Sequence, residues 1–288
     1  MSKTLQVYYT AVLGALGGLL GWWIMGSIPT GAWNVWLAYP LVGAGLGFCI
    51  GGCVAATDGA LIKRSAGRAL RDGALGAAAG ALAGLTGLLL AELGFLWIGG
   101  GFGGRTIGWM LLGGLIGLSD LLVSRQINRA RYGALGGLGG GMLGGVLYEA
   151  LTRLYLAQSD RAQIIIGGIG LVLLGAWIGA LIPLARQVLA RGELRVLNGE
   201  HAGLVREVTD SASIGRYDGC DVYLPDAAVA WRHALVRRTG QGFVVEVLAG
   251  AGRDALVGTR RLAPGEAAPL RSGERIWLGE TAIEFVGR

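Results

Sequence analysis

Asp58, Asp120, Glu149 and Arg153 are ionisable side chains set in or beside stretches otherwise built of apolar residues and glycine. A carboxylate removed from water must be paired, hydrogen-bonded or coordinated to a cation, so each acid marks a polar site. Asp58 precedes Lys63 by five residues and Asp120 precedes Arg125 by five, which suits an interfacial salt bridge or a cap on the following helix. Recurrence of the two acids 62 residues apart suits an ion ligand as well. Glu149 and Arg153 are four apart, share a helix face and can pair, or line a polar cavity. Cys49 and Cys53 also share a face, but two thiols with no further Cys or His make a poor zinc site, so no metal is expected. Cys220 falls in a turn as a free thiol. There is no Walker loop, nucleophile elbow, HExxH or kinase motif set, and the two histidines, His201 and His233, both lie near the C-terminus. The expectation is a protein that is not an enzyme and has no cofactor.

The elements that must position these residues are mostly membrane helices. Of the 288 residues, 53% are hydrophobic, 15% are charged and 55 are glycine, with a mean hydropathy of +0.55. That composition excludes an ordinary pair of soluble domains. Apolar runs able to cross a core of about 30 Å fall at 8–28, 35–56, 74–93, 107–123, 134–156 and 164–184, predicting six transmembrane helices. The first run is too long for the core of a signal peptide and is read as a retained span. Residues 1–191 carry net charge +7 and 192–288 carry −1. Lys3, Lys63, Arg64, Arg68, Arg71, Arg125, Arg129, Arg131, Arg186 and Arg191 fall on one side of the predicted bundle, against Arg105, Arg153 and Arg161 on the other. This positive-inside bias predicts a bacterial-type inner (plasma) membrane protein with both termini cytoplasmic and anionic lipid at the cytoplasmic face. No aromatic-basic pattern for nucleic acid is present. A homo-oligomer is left open.

The helical part also repeats. GALGG at Gly14 recurs as GALGA at Gly73 and GALGG at Gly133. Together with the Asp58 and Asp120 spacing, this predicts three tandem two-helix repeats over about 4–65, 66–127 and 128–190 within a domain 1–190. Small residues at every third or fourth position strip one face of each Gly-rich helix to backbone, which lets neighbouring helices approach closely.

From about residue 191 to 288 the pattern changes to short strands punctuated by Gly, Asp and Pro, predicting an all-β sandwich whose 213–235 segment lies in an antiparallel sheet. Gly215-Arg216, then Asp221-Val222-Tyr223-Leu224-Pro225-Asp226, then Val229-Ala230-Trp231-Arg232-His233-Ala234 resemble the forkhead-associated (FHA) signature G-R, D-I-x-L-x-D, V-S-R-x-H-A. LRVLNGEHAG resembles the family's first strand and turn, and LRSGERIWLGETAIEF its closing strands. The resemblance implies a small β-sandwich that binds phosphothreonine peptides. It assigns Arg216 to the phosphate, and Gly215 and His233 to the framework. It also implies departures: Ala230 stands where the family has its binding Ser, Trp231 where Arg follows, and Gly252-Arg253 nearest the family's Asn-Gly. The expectation is therefore a module that binds a cytoplasmic protein partner, phosphorylated or not. Two surfaces are compatible with this, one using Trp231 as an aromatic anchor and one an altered phosphate site of Arg216, Arg232 and Arg253. For the whole chain the leading expectation is a membrane-anchored scaffold or signalling adaptor, with a transport or channel protein regulated through its FHA-like module as the alternative.

Overall fold

The computed structural model describes residues 3–28, 33–57, 59–60, 66–98, 102–119, 121–122, 126–155 and 160–287. Asp58 and Asp120 lie outside the described residues. The chain divides into two compact units, a helical one over Thr4–Arg186 and a β one from Gln187 onward.

Six helices form where the apolar runs stand: α1 (Lys3–Gly26), α2 (Val35–Thr57), α3 (Ala66–Ile98), α4 (Phe102–Leu118), α5 (Ile127–Tyr155) and α6 (Asp160–Leu189). Among the described residues, four stretches are long and apolar enough to cross a membrane, namely Lys3–Gly26, Trp36–Thr57, Ala66–Leu93 and Ile164–Leu189. Of the other two helices, α4 is 17 residues long, and α5 carries Arg129, Arg131, Glu149 and Arg153 around a Gly-rich centre.

Glycine decides which helices meet most closely. A Cβ on Gly43, Gly47 or Gly51 of α2 would run into the carbonyl oxygen of Gly84, Gly80 or Gly76 of α3. The same holds for Gly113 and Gly117 of α4 against Gly137 and Gly133 of α5, and for Gly175 and Gly179 of α6 against Gly14 and Thr10 of α1. Backbone-to-backbone approach of this kind supplies dispersion and weak Cα–H···O contacts where lipid gives no hydrophobic drive between helices. These glycine seams run from α2 to α3, from α4 to α5 and from α6 back to α1, so they lie between consecutive expected repeats. Leu46, Ile50, Leu112, Ile116, Leu174, Ile178 and Ile182 fill the interior of the unit.

The β unit is a sandwich of two sheets. Its strands are β1 (Gly192–Val196), β2 (Val205–Val208), β3 (Ser211–Gly215), β4 (Val222–Tyr223), β5 (Ala234–Thr239), β6 (Gly242–Val247), β7 (Ala255–Val257), β8 (Arg260–Leu262), β9 (Ala267–Leu270), β10 (Arg275–Leu278) and β11 (Thr281–Gly287). One sheet has the order β2-β1-β11-β10-β7-β8 and the other β4-β3-β5-β6-β9. Alternation is visible strand by strand: in β10, Ile276 and Leu278 are buried and Arg275 and Trp277 face out. Leu194, Ile214, Val236, Val245, Ile276, Ile283 and Phe285 meet between the sheets. One pairing corrects the antiparallel expectation for 213–235: β4 runs parallel to β3, with Ile214 opposite Val222 and Gly215 opposite Tyr223. The six-residue loop 216–221, which includes a turn closed by the Cys220 N–H donating to Tyr217 O (2.9 Å), brings the chain back past the end of β3, so that β4 sets out beside Ile214 in the same direction.

Candidate functional site

At one apex of the sandwich the loop after β3, the loop before β5 and the segment between β6 and β7 come together. Gly215 permits the first contact, because a Cβ there would stand 2.5 Å from Trp231 O and 2.9 Å from Arg232 Cα. Across that gap the Arg216 N–H donates to Ala230 O (2.9 Å) and the Tyr217 N–H to Trp231 O (2.8 Å). Residues 216–217 and 230–231 are thereby laced backbone to backbone.

Two carboxylates and one imidazole hold the loops. Asp221 Oδ2 accepts from the N–H and the hydroxyl of Ser213, at 2.9 and 2.8 Å, fixing the return into β4. Asp226 Oδ1 accepts from the Ala228 N–H (2.7 Å), and its Oδ2 accepts from the Glu280 N–H and the Thr281 hydroxyl, both at 3.2 Å. The Ala228 N–H, helped by the Glu280 and Thr281 donors and the charge of Arg253, holds the Asp226 carboxyl below its ordinary range. His233 is fully buried, and its Nδ1 accepts the Ala230 N–H at 3.2 Å, which requires the neutral ring. Burial pushes its pKa below the ordinary histidine value, against an opposite pull from the backbone of Asp254 and Arg253. His233 thus braces the loop that carries Ala230 and Trp231, as a framework residue would.

The surface above this frame is aromatic and cationic. Trp231 is 61% exposed and stacks on Tyr217, with ring centroids 4.9 Å apart and planes at 29°. Arg232 Cζ lies 5.5 Å from the Tyr217 ring centre, close enough for a cation–π contact. Arg216 is exposed, and among the described residues its guanidinium makes no hydrogen bond or ion pair. Arg253 is different: its Nη1 donates to Ala227 O at 2.7 Å, so this guanidinium ties two loops together. Gly252 ends a short 3-10 turn (Ala249–Ala251) with φ +59°, a conformation glycine adopts without strain. Ala230 offers no side-chain donor. Positions 230 and 252 carry neither a hydroxyl nor an amide side chain that could donate to a phosphate, whereas Arg216 and Arg232 are exposed on the loops of this apex.

Sequence reasoning brought Arg216, Ala230, Trp231, Arg232, Gly252 and Arg253 to these loops, and it overlooked Tyr217. The available signal was an aromatic residue directly after Gly-Arg, but its stacking partner lies fourteen residues on. In the helical unit, Glu149 is 2% exposed and its Oε2 stands 3.8 Å from Arg105 Nη1 on α4, a neighbour that the four-residue spacing to Arg153 does not reveal.

Residues 212–279 match the family model described as FHA domain. Among solved structures, the β unit is similar to the FHA domain of a Chlamydia trachomatis protein (21% identity, 34% of this chain and 99% of that one, TM-score 0.31). It is similar as well to an FHA domain described for phosphothreonine-dependent interactions (26%, 34% and 98%, TM-score 0.30) and to the FHA domain of an Arabidopsis thaliana hypothetical protein (22%, 35% and 87%, TM-score 0.32). No curated protein matches the chain.

Proposed function

We propose, for a chain whose residues 212–279 form an FHA domain, a protein-interaction module rather than a catalytic one, that the helical unit is a membrane anchor presenting this module at the cytoplasmic face as a scaffold or signalling adaptor. The basic bias of the links between the apolar runs supports the orientation. Three tandem two-helix repeats would account for the even spacing of Gly51, Gly113 and Gly175, each of which meets the backbone of a glycine on another helix.

The observation that carries the functional reading is the exposed Trp231, stacked on the half-buried Tyr217 beside Ala230, whose side chain has no donor. A large aromatic side chain held rigid by stacking loses little entropy on binding, and such residues dominate the energy of many interfaces. Positions 230 and 252 add no side-chain donor to the arginines, so this reading expects Trp231 rather than phosphate to dominate recognition. The full-length protein, purified from membranes with bound partners retained, tests this directly. The proposal expects Trp231→Ala to abolish partner recovery and phosphatase treatment of the extract to leave it unchanged. Recovery lost on phosphatase treatment contradicts the proposal.

A second reading, a solute-handling bundle regulated through the FHA domain, is favoured by one observation: a cavity in the helical unit reaches the buried Glu149.

A further inference from the structure

That cavity lies within the helical unit, toward the starts of α2, α4 and α6 and the ends of α3 and α5. Its volume is about 360 Å³, and its walls include Tyr39, Glu92, Arg105, Trp109, Tyr148 and Glu149. The size is within the range of pockets that hold small organic ligands. Trp109 and Tyr148 meet edge to face with centroids 5.2 Å apart, so the aromatic wall is ordered by its own packing.

Glu149 is what makes this a built site. Its side chain is 3% exposed, and one oxygen, Oε2, faces Arg105 at 3.8 Å. The other oxygen, Oε1, is buried and has no hydrogen-bond partner among the described residues. A buried carboxylate oxygen without a donor is costly, and the deficit is removed by a ligand that brings one. Glu92 and Glu149 share the walls with Arg105, and the charge of Arg153 also acts on Glu149, so the charges are close to balanced and the ligand is selected by the donor that Oε1 lacks, a positively charged N–H being the strongest partner for a carboxylate oxygen. An anion would have to compete with Glu149 for Arg105. A metal ion is a poor fit, because no group of three metal-ligating His, Cys, Asp or Glu side chains exists among the described residues. A protonated amine supplies an N–H donor for Oε1 and a positive charge that aromatic faces attract.

We infer that this cavity binds a small organic ammonium ion, held by Glu149 and seated against Trp109 and Tyr148. The inference deepens the solute-handling reading but does not require translocation, since a ligand can be held without being moved.

The test uses the full chain in phosphatidylcholine nanodiscs and three probes that share a phenethyl group, phenethylammonium, 2-phenylethanol and 3-phenylpropionate, each followed by calorimetric titration. Phenethylammonium is expected to bind at least tenfold tighter than either of the others, and Glu149→Gln to remove that preference. Equal affinity for the three probes overturns the inference, as does an ammonium preference that survives in a folded Glu149→Gln variant. Should Glu149→Gln fail to fold, Glu92→Gln gives the parallel measurement, with a several-fold loss of the ammonium preference expected and no loss overturning it. Repeating the titration with phosphatidylethanolamine in the nanodisc separates a lipid headgroup amine, which would compete with the probe, from a free solute, which leaves lipid composition without effect. Binding without flux into proteoliposomes supports the site while removing the transport reading. Flux without any ammonium preference in binding overturns the site.

Discussion

Trp231 stacks on Tyr217 at 4.9 Å while 61% of Trp231 remains open to solvent. The two residues reach each other because Gly215 lets the chain segments carrying them lie backbone to backbone. An aromatic pair of this kind contributes about 0.5–1.5 kcal/mol beyond the area it buries, and most of Trp231 is exposed, so Trp231→Ala should lower the stability of the sandwich only modestly. As an anchor in a partner's pocket the same side chain would be worth roughly 2 kcal/mol or more, about a thirtyfold change in affinity. Urea unfolding and partner affinity measured on one variant separate the two effects: a small shift in midpoint with a large loss of binding is expected.

Gly215→Ala should do the opposite, acting on fold first. Its Cβ would press on Trp231 O and Arg232 Cα, which are backbone atoms that cannot rotate away. Overpacking of this sort costs about 1–3 kcal/mol. The check is a lowered urea midpoint with loss of the Trp231–Tyr217 stacking signal in near-ultraviolet circular dichroism.

Protonation of His233 links stability to pH. Its folded pKa lies below the unfolded value of about 6.5, since burial disfavours the charged ring. The unfolded chain therefore takes up protons first as pH falls, and the stability contributed by the neutral ring is present above about pH 6.5 and lost below it. The melting temperature of residues 187–288, which hold a complete two-sheet core, should drop between pH 7.5 and 5.5, and His233→Asn should flatten that slope. Asp226 acts in a lower window: its depressed pKa contributes stability that is present above the unfolded value of about 3.9 and is lost as pH falls through the folded value.

The glycine seams predict opposite outcomes for one chemical change. Gly113→Ala places a methyl group into the Gly137 carbonyl and should lower the melting temperature of the detergent-solubilised protein. Gly167→Ala meets nothing within 4 Å and should leave it unchanged or raise it, since alanine is favoured over glycine in a helix by about 0.8–1 kcal/mol. Equal effects of the two substitutions contradict the account of helix packing.

The helices and most strands were legible because their signal is local: a run of about twenty apolar residues, or an alternation over four to six. The strands β7 and β8 were not: Ala255-Leu256-Val257 is apolar throughout although Leu256 is exposed, and in β8 both Arg260 and Arg261 are exposed, so neither three-residue strand shows an alternation of residue type. The FHA framework could be recognised from Gly215 and His233, whose roles depend on backbone approach and on a buried ring fixed by the motif's own loops. Tyr217 against Trp231, Arg253 on Ala227 and Arg105 beside Glu149 are contacts between elements distant in sequence. Composition and spacing single out Trp231, Arg253 and Glu149 but not the partners that they meet.

The central claim is that this FHA domain recognises its partner through Trp231 with little help from phosphate. It is tested most directly by titrating residues 187–288 with phosphothreonine peptides and their unphosphorylated counterparts, alongside a double variant carrying Ala230→Ser and Trp231→Arg. The wild-type domain is predicted to gain less than about threefold from phosphate. The double variant should gain at least tenfold, as expected for restoring donors worth about 1.5–3 kcal/mol each to a charged group. A wild-type preference for the phosphorylated peptide of tenfold or more would contradict the account.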